Sequence, residues 1–245
     1  MYNKHNIIQL RILSLNCRQR VKKSDLSDGA TRFFMDAKVQ QTIDILAEEF
    51  PEPKSELNFN SPFELLVAVI LSAQCTDKRV NIVTPKLFAV ADDAFSMSQL
   101  DLSVIEDIIH PCGFYHNKAL FISNMSKDLV ERFNGEVPSD IDSLRTLAGV
   151  GRKTANVVYA VGFGGQAIAV DTHVFRVANR LGLVHANNVY DTEKQLMNVL
   201  PHDKWSDCHH YLLLHGRYVC KARNPQCGKC PLTHLCEYYA KGEEN

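Results

Sequence analysis

Hydrophobic positions recur at helical spacing along most of the chain. Val39, Ile43, Leu46 and Phe50 form a stripe that Pro51 and Pro53 bring to an end, which predicts a helix up to Phe50. Ser61, Pro62 and Glu64 read as an N-cap, a first helical position and the return arm of a capping box. Residues 63–71 behind them are nearly continuous apolar sequence, so this helix is expected to be buried on most sides. Residues 80–90, 100–109 and 119–133 read as further helices, punctuated by Pro111, Gly113 and Gly135. Residues 139–147 carry Ile141, Leu144 and Leu147 behind a Ser139/Asp142 cap, and residues 155–161 are apolar and free of proline. After a short apolar run over 166–170, Asp171 precedes Val174, Val177 and Leu181, residues 192–200 run to Pro201, and residues 205–218 lead into a cysteine-rich tail. No alternating strand pattern and no Asn-Gly hairpin interrupts the series, so the predicted fold class is all-α.

Two of these helices meet in Leu147-Ala148-Gly149-Val150-Gly151-Arg152-Lys153-Thr154. Glycine takes positive φ readily and lets another backbone come close, so Gly149-Val150-Gly151 predicts a tight hairpin. The second helix then opens with N–H groups that lack intrahelical partners, which makes an anion site, and Arg152 and Lys153 beside it favour phosphate. A dinucleotide fingerprint is excluded, because Thr154 holds its third glycine position and a helix precedes; a Walker loop is excluded because Arg152 alone separates Gly151 from Lys153. An ordinary C-cap glycine followed by a new helix is the plainer alternative.

Cys220, Cys227, Cys230 and Cys236 are spaced Cys-x6-Cys-x2-Cys-x5-Cys, with Pro225, Gly228 and Pro231 supplying turns between them. Four thiolates in so short a stretch select zinc or an iron–sulfur cluster, and the spacing leaves the two metals open. Nothing marks the chain as secreted, which argues against disulfides. Cys17, Cys75, Cys112 and Cys208 lack such spacing and read as isolated thiols; His209, His210 and His215 read as structural.

Residues 147–156, Val170-Asp171-Thr172-His173, Leu71-Ser72-Ala73-Gln74-Cys75-Thr76-Asp77 and the four-cysteine array, in this order, resemble endonuclease III. That family comprises helix-hairpin-helix, iron–sulfur DNA glycosylases and abasic-site lyases acting on oxidised pyrimidines, and the similarity runs from about residue 35 to the C-terminus. The resemblance implies two helical domains with a DNA groove between them: a six-helix barrel over 55–165, and a cluster domain made of 35–54 plus 166–245. It implies a [4Fe-4S] cluster on Cys220, Cys227, Cys230 and Cys236, with Lys153 and Asp171 as the catalytic pair. It implies DNA contacts from Gln74, which fills the space of a flipped base, and from Phe114, an apolar wedge. Further contacts fall to Gly149, Val150, Gly151 and Arg152 of the hairpin, and to Lys221 and Arg223 of the cluster loop. The partner is double-stranded DNA carrying an oxidised pyrimidine or an abasic site, and the protein is expected to be a monomer in a bacterial cytoplasm. Ala148 departs from a common proline and Cys75 from a common alanine. A related adenine or mismatch glycosylase would lack the lysine, and a non-enzymatic DNA-binding module would need neither Lys153 nor Asp171.

Composition changes this picture in one place. The 245 residues are 45% hydrophobic and 22% charged with a formal net charge of -1, which suits a globular chain and gives no bulk attraction to DNA. No apolar run approaches a membrane span. Residues 1–34, however, carry seven Lys/Arg against Asp25 and Asp28. They read as a basic extension, either a DNA-binding arm, a presequence or sequence ahead of a true start at Met35.

Overall fold

The computed structural model describes the backbone of residues 28–242 and the side chains of residues 36–242. The chain divides into two units, Met1–Lys38 and Val39–Asn245, and the elements below lie in the second except where α1 begins. Most of the predicted basic extension, residues 1–27, lies outside the described residues; α1 (Asp28–Glu49) already begins ahead of Met35.

All described elements are helical. They are α1, α2 (Pro62–Ser72), α3 (Asp77–Phe88), α4 (Ala94–Ser98), α5 (Leu102–Ile109), α6 (Tyr115–Phe133), α7 (Ile141–Leu144), α8 (Arg152–Phe163), α9 (Thr172–Leu181), α10 (Val189–Val199), α11 (Trp205–Tyr218) and α12 (Glu237–Ala240), with 3-10 turns at His202–Lys204, Cys227–Lys229 and Thr233–Leu235. No strand occurs among the described residues.

Helix α2 is the hub. Ser61 Oγ accepts from the N–H of Glu64 at 3.2 Å, and Pro62 sits at the start where a missing N–H costs nothing. Glu64 reaches back one residue further than a standard capping box, its Oε2 accepting from the N–H of Asn60 at 2.6 Å. Every residue from Phe63 to Leu71 is buried, each large apolar side chain contributing on the order of 1.5–3 kcal/mol of transfer free energy. This is possible because α3, α6 and α8 pack around α2. The resulting core draws only on residues between Leu57 and Val158. A second apolar cluster joins Val39, Ile43 and Leu46 of α1 to Leu183, Leu200, Tyr211 and Leu212. The principal helix–helix contacts fall within α2–α8 or within α9–α12.

Differences from the sequence expectation are local and have local causes. Asp140, not Ser139, caps α7, accepting from the N–H of Ser143 at 2.8 Å, and the helix is a single turn because Thr146 and Leu147 bond in tighter turns to Ser143 and Leu144. Helix α4 was not foreseen; Asp93 caps it through the N–H of Ser96 at 2.7 Å. Helix α6 starts at Tyr115, immediately after a left-handed Phe114. Pro85 is accommodated inside α3.

Candidate DNA-repair site

A cavity of about 200 Å³ is lined by Gln74, Lys153 and Asp171 together with Glu56, Asp77, His209, His210 and Arg217. Residues about a hundred positions apart in sequence are thus brought together. Lys153 lies in the first turn of α8 and is exposed. Asp171 caps α9, and a single oxygen does that work: Oδ1 accepts from the N–H groups of His173 and Val174, both at 2.8 Å. Oδ2 has no hydrogen bond among the described residues and is left for the cavity. Capping and chemistry are therefore compatible in one side chain.

On the opposite wall, Arg217 Nη1 bonds Asp77 Oδ2 at 2.7 Å and also meets Glu56 Oε2, while the Tyr218 hydroxyl donates to Glu56 Oε1. Burial works against the guanidinium charge, but the Asp77 hydrogen bond and the carboxylates of Asp77 and Glu56 outweigh it and raise its pKa. Burial holds His209 well below the ordinary histidine range, with His210 and Lys153 adding to the effect. His209 Nδ1 has no hydrogen-bond partner. Burial likewise lowers His210, against the pull of the Ser206 carbonyl. The pocket thus offers neutral rings and one charge-balanced arginine.

Beside it, Gln74, Phe114, Gly149 and Thr154 line a second cavity of about 270 Å³. Gln74 (φ 52) and Phe114 (φ 59) both hold left-handed backbone, rare for residues with a side chain, and Phe114 is 65% exposed. Positive φ aims each side chain outward from its turn. The hairpin glycines have different jobs. Gly149 (φ +74) needs the left-handed region, and a Cβ there would fall 2.7 Å from Phe121 Cβ. Gly151 does not: its φ is -83, it is the N-cap of α8 without a side-chain cap, and a Cβ there would meet nothing within 4 Å. Its bareness leaves the helix N–H groups open to an anion. The N–H of Ala148 donates to Asp128 Oδ2 at 3.1 Å, tying the turn to α6.

Two of the hairpin residues have partners within the protein. Val150 is buried in the core. Arg152 grips Glu193 with two hydrogen bonds of 2.9 Å and lies over the Tyr190 ring, so its charge is already neutralised. Lys221 and Arg223, in contrast, are exposed. Their loop is held from α9: Arg176 Nε donates to the Cys220 carbonyl at 3.0 Å, and Arg180 Nη1 donates to the Lys221 carbonyl at 2.8 Å.

Comparison with known proteins decides the family. A model of the HhH-GPD superfamily base excision DNA repair protein matches residues 67–202, and one of the iron-sulfur binding domain of endonuclease III matches residues 220–236. Endonuclease III of Haemophilus influenzae is 50% identical over 198 residues, covering 81% of this chain and 94% of the relative; that of Escherichia coli K12 is 49% identical over 205 residues, covering 84% and 97%. A solved trapped endonuclease III–DNA covalent intermediate superposes with TM-score 0.81 at 46% identity, over 85% of this chain and 99% of that one.

The chain belongs to the endonuclease III family.

As an endonuclease III family member it is a DNA glycosylase and abasic-site lyase of base-excision repair, binds DNA and carries a [4Fe-4S] cluster. The tail fits that cofactor. Cys220, Cys227, Cys230 and Cys236 line one cavity beside Val177, Leu181 and Val219. Four sulfurs around one apolar-walled space are the soft donor set that an iron–sulfur cluster takes. Residues that sequence reasoning passed over in this endonuclease III site are Glu56, Arg217 and Glu193. Their ion-pair partners stand more than 40 positions away, so no local pattern announces them; only Asp77, inside the quoted 71–77 motif, carried a signal.

Proposed function

We propose that this protein excises oxidised pyrimidines from double-stranded DNA and then cuts the abasic site by β-elimination, with Lys153 as nucleophile and Asp171 as its acidic partner. The observation that carries this reading is the shared cavity, in which an exposed Lys153 faces a space also lined by an Asp171 whose Oδ2 is unused. Breaking the C1′–N bond builds positive character on the sugar, and a carboxylate stabilises it. The unprotonated amine of Lys153 attacks C1′ and the base departs with its bonding pair; ring opening leaves a Schiff base. The iminium acidifies a C2′ proton, whose removal expels the 3′ phosphate, and hydrolysis frees the lysine. Asp171 Oδ2 is the acceptor on hand for protons in these steps.

C1′ is reached only when the damaged nucleotide leaves the stack. Gln74 is proposed to occupy the vacated space and Phe114 to wedge the bases apart, roles supported by their exposure and left-handed backbone. The N–H groups after Gly151, with Lys221 and Arg223, are proposed to hold phosphates. Cys220, Cys227, Cys230 and Cys236 are proposed as the cluster ligands; when bound, the cluster supplies a rigid anchor for residues 220–227 rather than chemistry at the sugar. A barrel over 55–165 and a cluster domain of 35–54 plus 166–245 are proposed as the two walls of the groove, in keeping with the grouping of helix contacts. We place the protein as a monomer in a bacterial cytoplasm; the relatives compared are bacterial, and no helix among the described residues is long and apolar enough to cross a membrane.

Borohydride trapping tests the mechanism. Duplex DNA with one oxidised pyrimidine should yield a covalent adduct with the wild type and none with Lys153→Ala. Absence of an adduct from folded, cluster-loaded wild type removes the lyase assignment and leaves a monofunctional glycosylase.

A further inference from the structure

His215 stands at the inner end of α11 with 1% of its side chain exposed. A buried imidazole needs partners for both ring nitrogens, and this one has two of contrasting kinds. Nδ1 lies 3.0 Å from Glu49 Oε2, on the last residue of α1, and Nε2 lies 3.5 Å from Cys230 Sγ. A carboxylate only accepts, so the Glu49 contact assigns a hydrogen to Nδ1 and fixes the ring plane. The ring thereby presents Nε2 to the sulfur. His215 also lines the cavity that the four cysteines surround.

We infer that His215, held by Glu49, is a positioning residue for the iron–sulfur cluster, which sets the Cys230 side chain for ligation and ties the end of α1 to the cluster. The inference rests on the reading of Cys230 as a ligand. Two features set this contact apart from ordinary core packing. It joins segments 166 and 15 positions apart through one ring, and its far end is the sulfur itself rather than a backbone group. Outer partners of this sort orient ligands, and the packing and solvent exposure around cluster sulfurs are among the factors that set reduction potential. Arg180 supplies a parallel case at Cys220, its Nη1 donating toward Sγ at 3.5 Å. The cluster sulfurs are thus braced from α9 on one side and from α1 through α11 on the other.

The test uses full-length holoprotein and reads the cluster rather than the enzyme activity. Glu49→Ala, Glu49→Gln, His215→Leu and Cys230→Ala are compared for iron per chain, midpoint potential and rate of cluster loss to a chelator, with circular dichroism and melting to verify folding. Glu49→Ala should lose its cluster about 10–100-fold faster than wild type, with a displaced potential. Glu49→Gln, whose amide oxygen still accepts from Nδ1–H, should restore much of the wild-type rate. His215→Leu should match or exceed Glu49→Ala. Should His215→Leu fail to fold, the Glu49 pair decides, since the Glu49 side chain is 24% exposed. Folded Glu49→Ala with wild-type retention and potential overturns the inference. Cys230→Ala that keeps a full complement of iron overturns instead the ligand reading beneath it.

Discussion

Gly149 and Gly151 lie two residues apart in one turn, yet alanine at each should fail in a different way. At Gly149 the backbone is left-handed (φ +74) and the new Cβ would fall 2.7 Å from Phe121 Cβ and 2.8 Å from its Cγ. The conformation costs about 1–3 kcal/mol for a residue with a side chain, and relieving the overlap with Phe121, whose Cβ is fixed to the α6 backbone, costs about 1–3 kcal/mol more. Together these lower stability by roughly 2–6 kcal/mol, a fall in Tm of about 4–24 °C for a chain of this size. At Gly151 φ is -83 and the added methyl would touch nothing within 4 Å, so stability should change by about 0.5 kcal/mol or less. The methyl would instead stand where a phosphate approaches the α8 N–H groups. Losing one such charge-assisted contact, about 1.5–3 kcal/mol, weakens DNA binding about ten-fold or more. Thermal melts followed by circular dichroism, and titration of both variants with a duplex carrying a stable abasic analogue, separate the two effects. A Gly151→Ala protein that melts as early as Gly149→Ala, or that binds as tightly as wild type, refutes this division of labour.

Asp171→Asn should keep the α9 cap, because an amide oxygen also accepts from His173 and Val174, while lowering excision by about 10²–10⁴-fold; Asp171→Ala should lose about 1 kcal/mol as well, both read by melting and single-turnover kinetics. Arg152→Ala strands the buried Glu193 carboxylate and should cost about 2–3 kcal/mol, below the 3–5 typical of a buried pair because Arg152 is 41% exposed; Arg152→Ala with Glu193→Gln should recover much of it in urea unfolding. The salt slope of DNA binding should fall by about 1 for Arg223→Ala and stay unchanged for Arg152→Ala. His209 resists protonation when folded, so below its ordinary value of 6.5 the unfolded chain gains the proton first and stability falls as pH falls, by about 1.4 kcal/mol per unit. His209→Leu should flatten the melting profile between neutral and mildly acid pH; an unchanged slope would count against the burial argument.

Helix identity was legible wherever the local pattern was self-sufficient. The Ser61-Pro62 start of α2 and the α11 segment from Trp205 to Tyr218 stand where periodicity and capping chemistry put them. Local competition was harder to read. Ser139 and Asp140 are both good caps, and only packing of Leu144 and Leu147 selects Asp140. Helix α4 is too short for its periodicity to rise above its neighbours.

The chemistry divides along the same line. Glycine spacing, the four-cysteine array and the Lys153/Asp171 separation are one-dimensional patterns, because a turn, a ligand loop and a helix cap are each built from adjacent residues, and these were enough to point to the family. Charge neutralisation of Arg152 by Glu193, the Arg217 clamp on Asp77 and Glu56, and the Glu49–His215–Cys230 contact belong to tertiary structure alone. Each joins residues tens to more than a hundred positions apart, and a side chain's charge or hydrogen-bonding capacity is available to a ligand only after the fold has decided what else stands within reach of it.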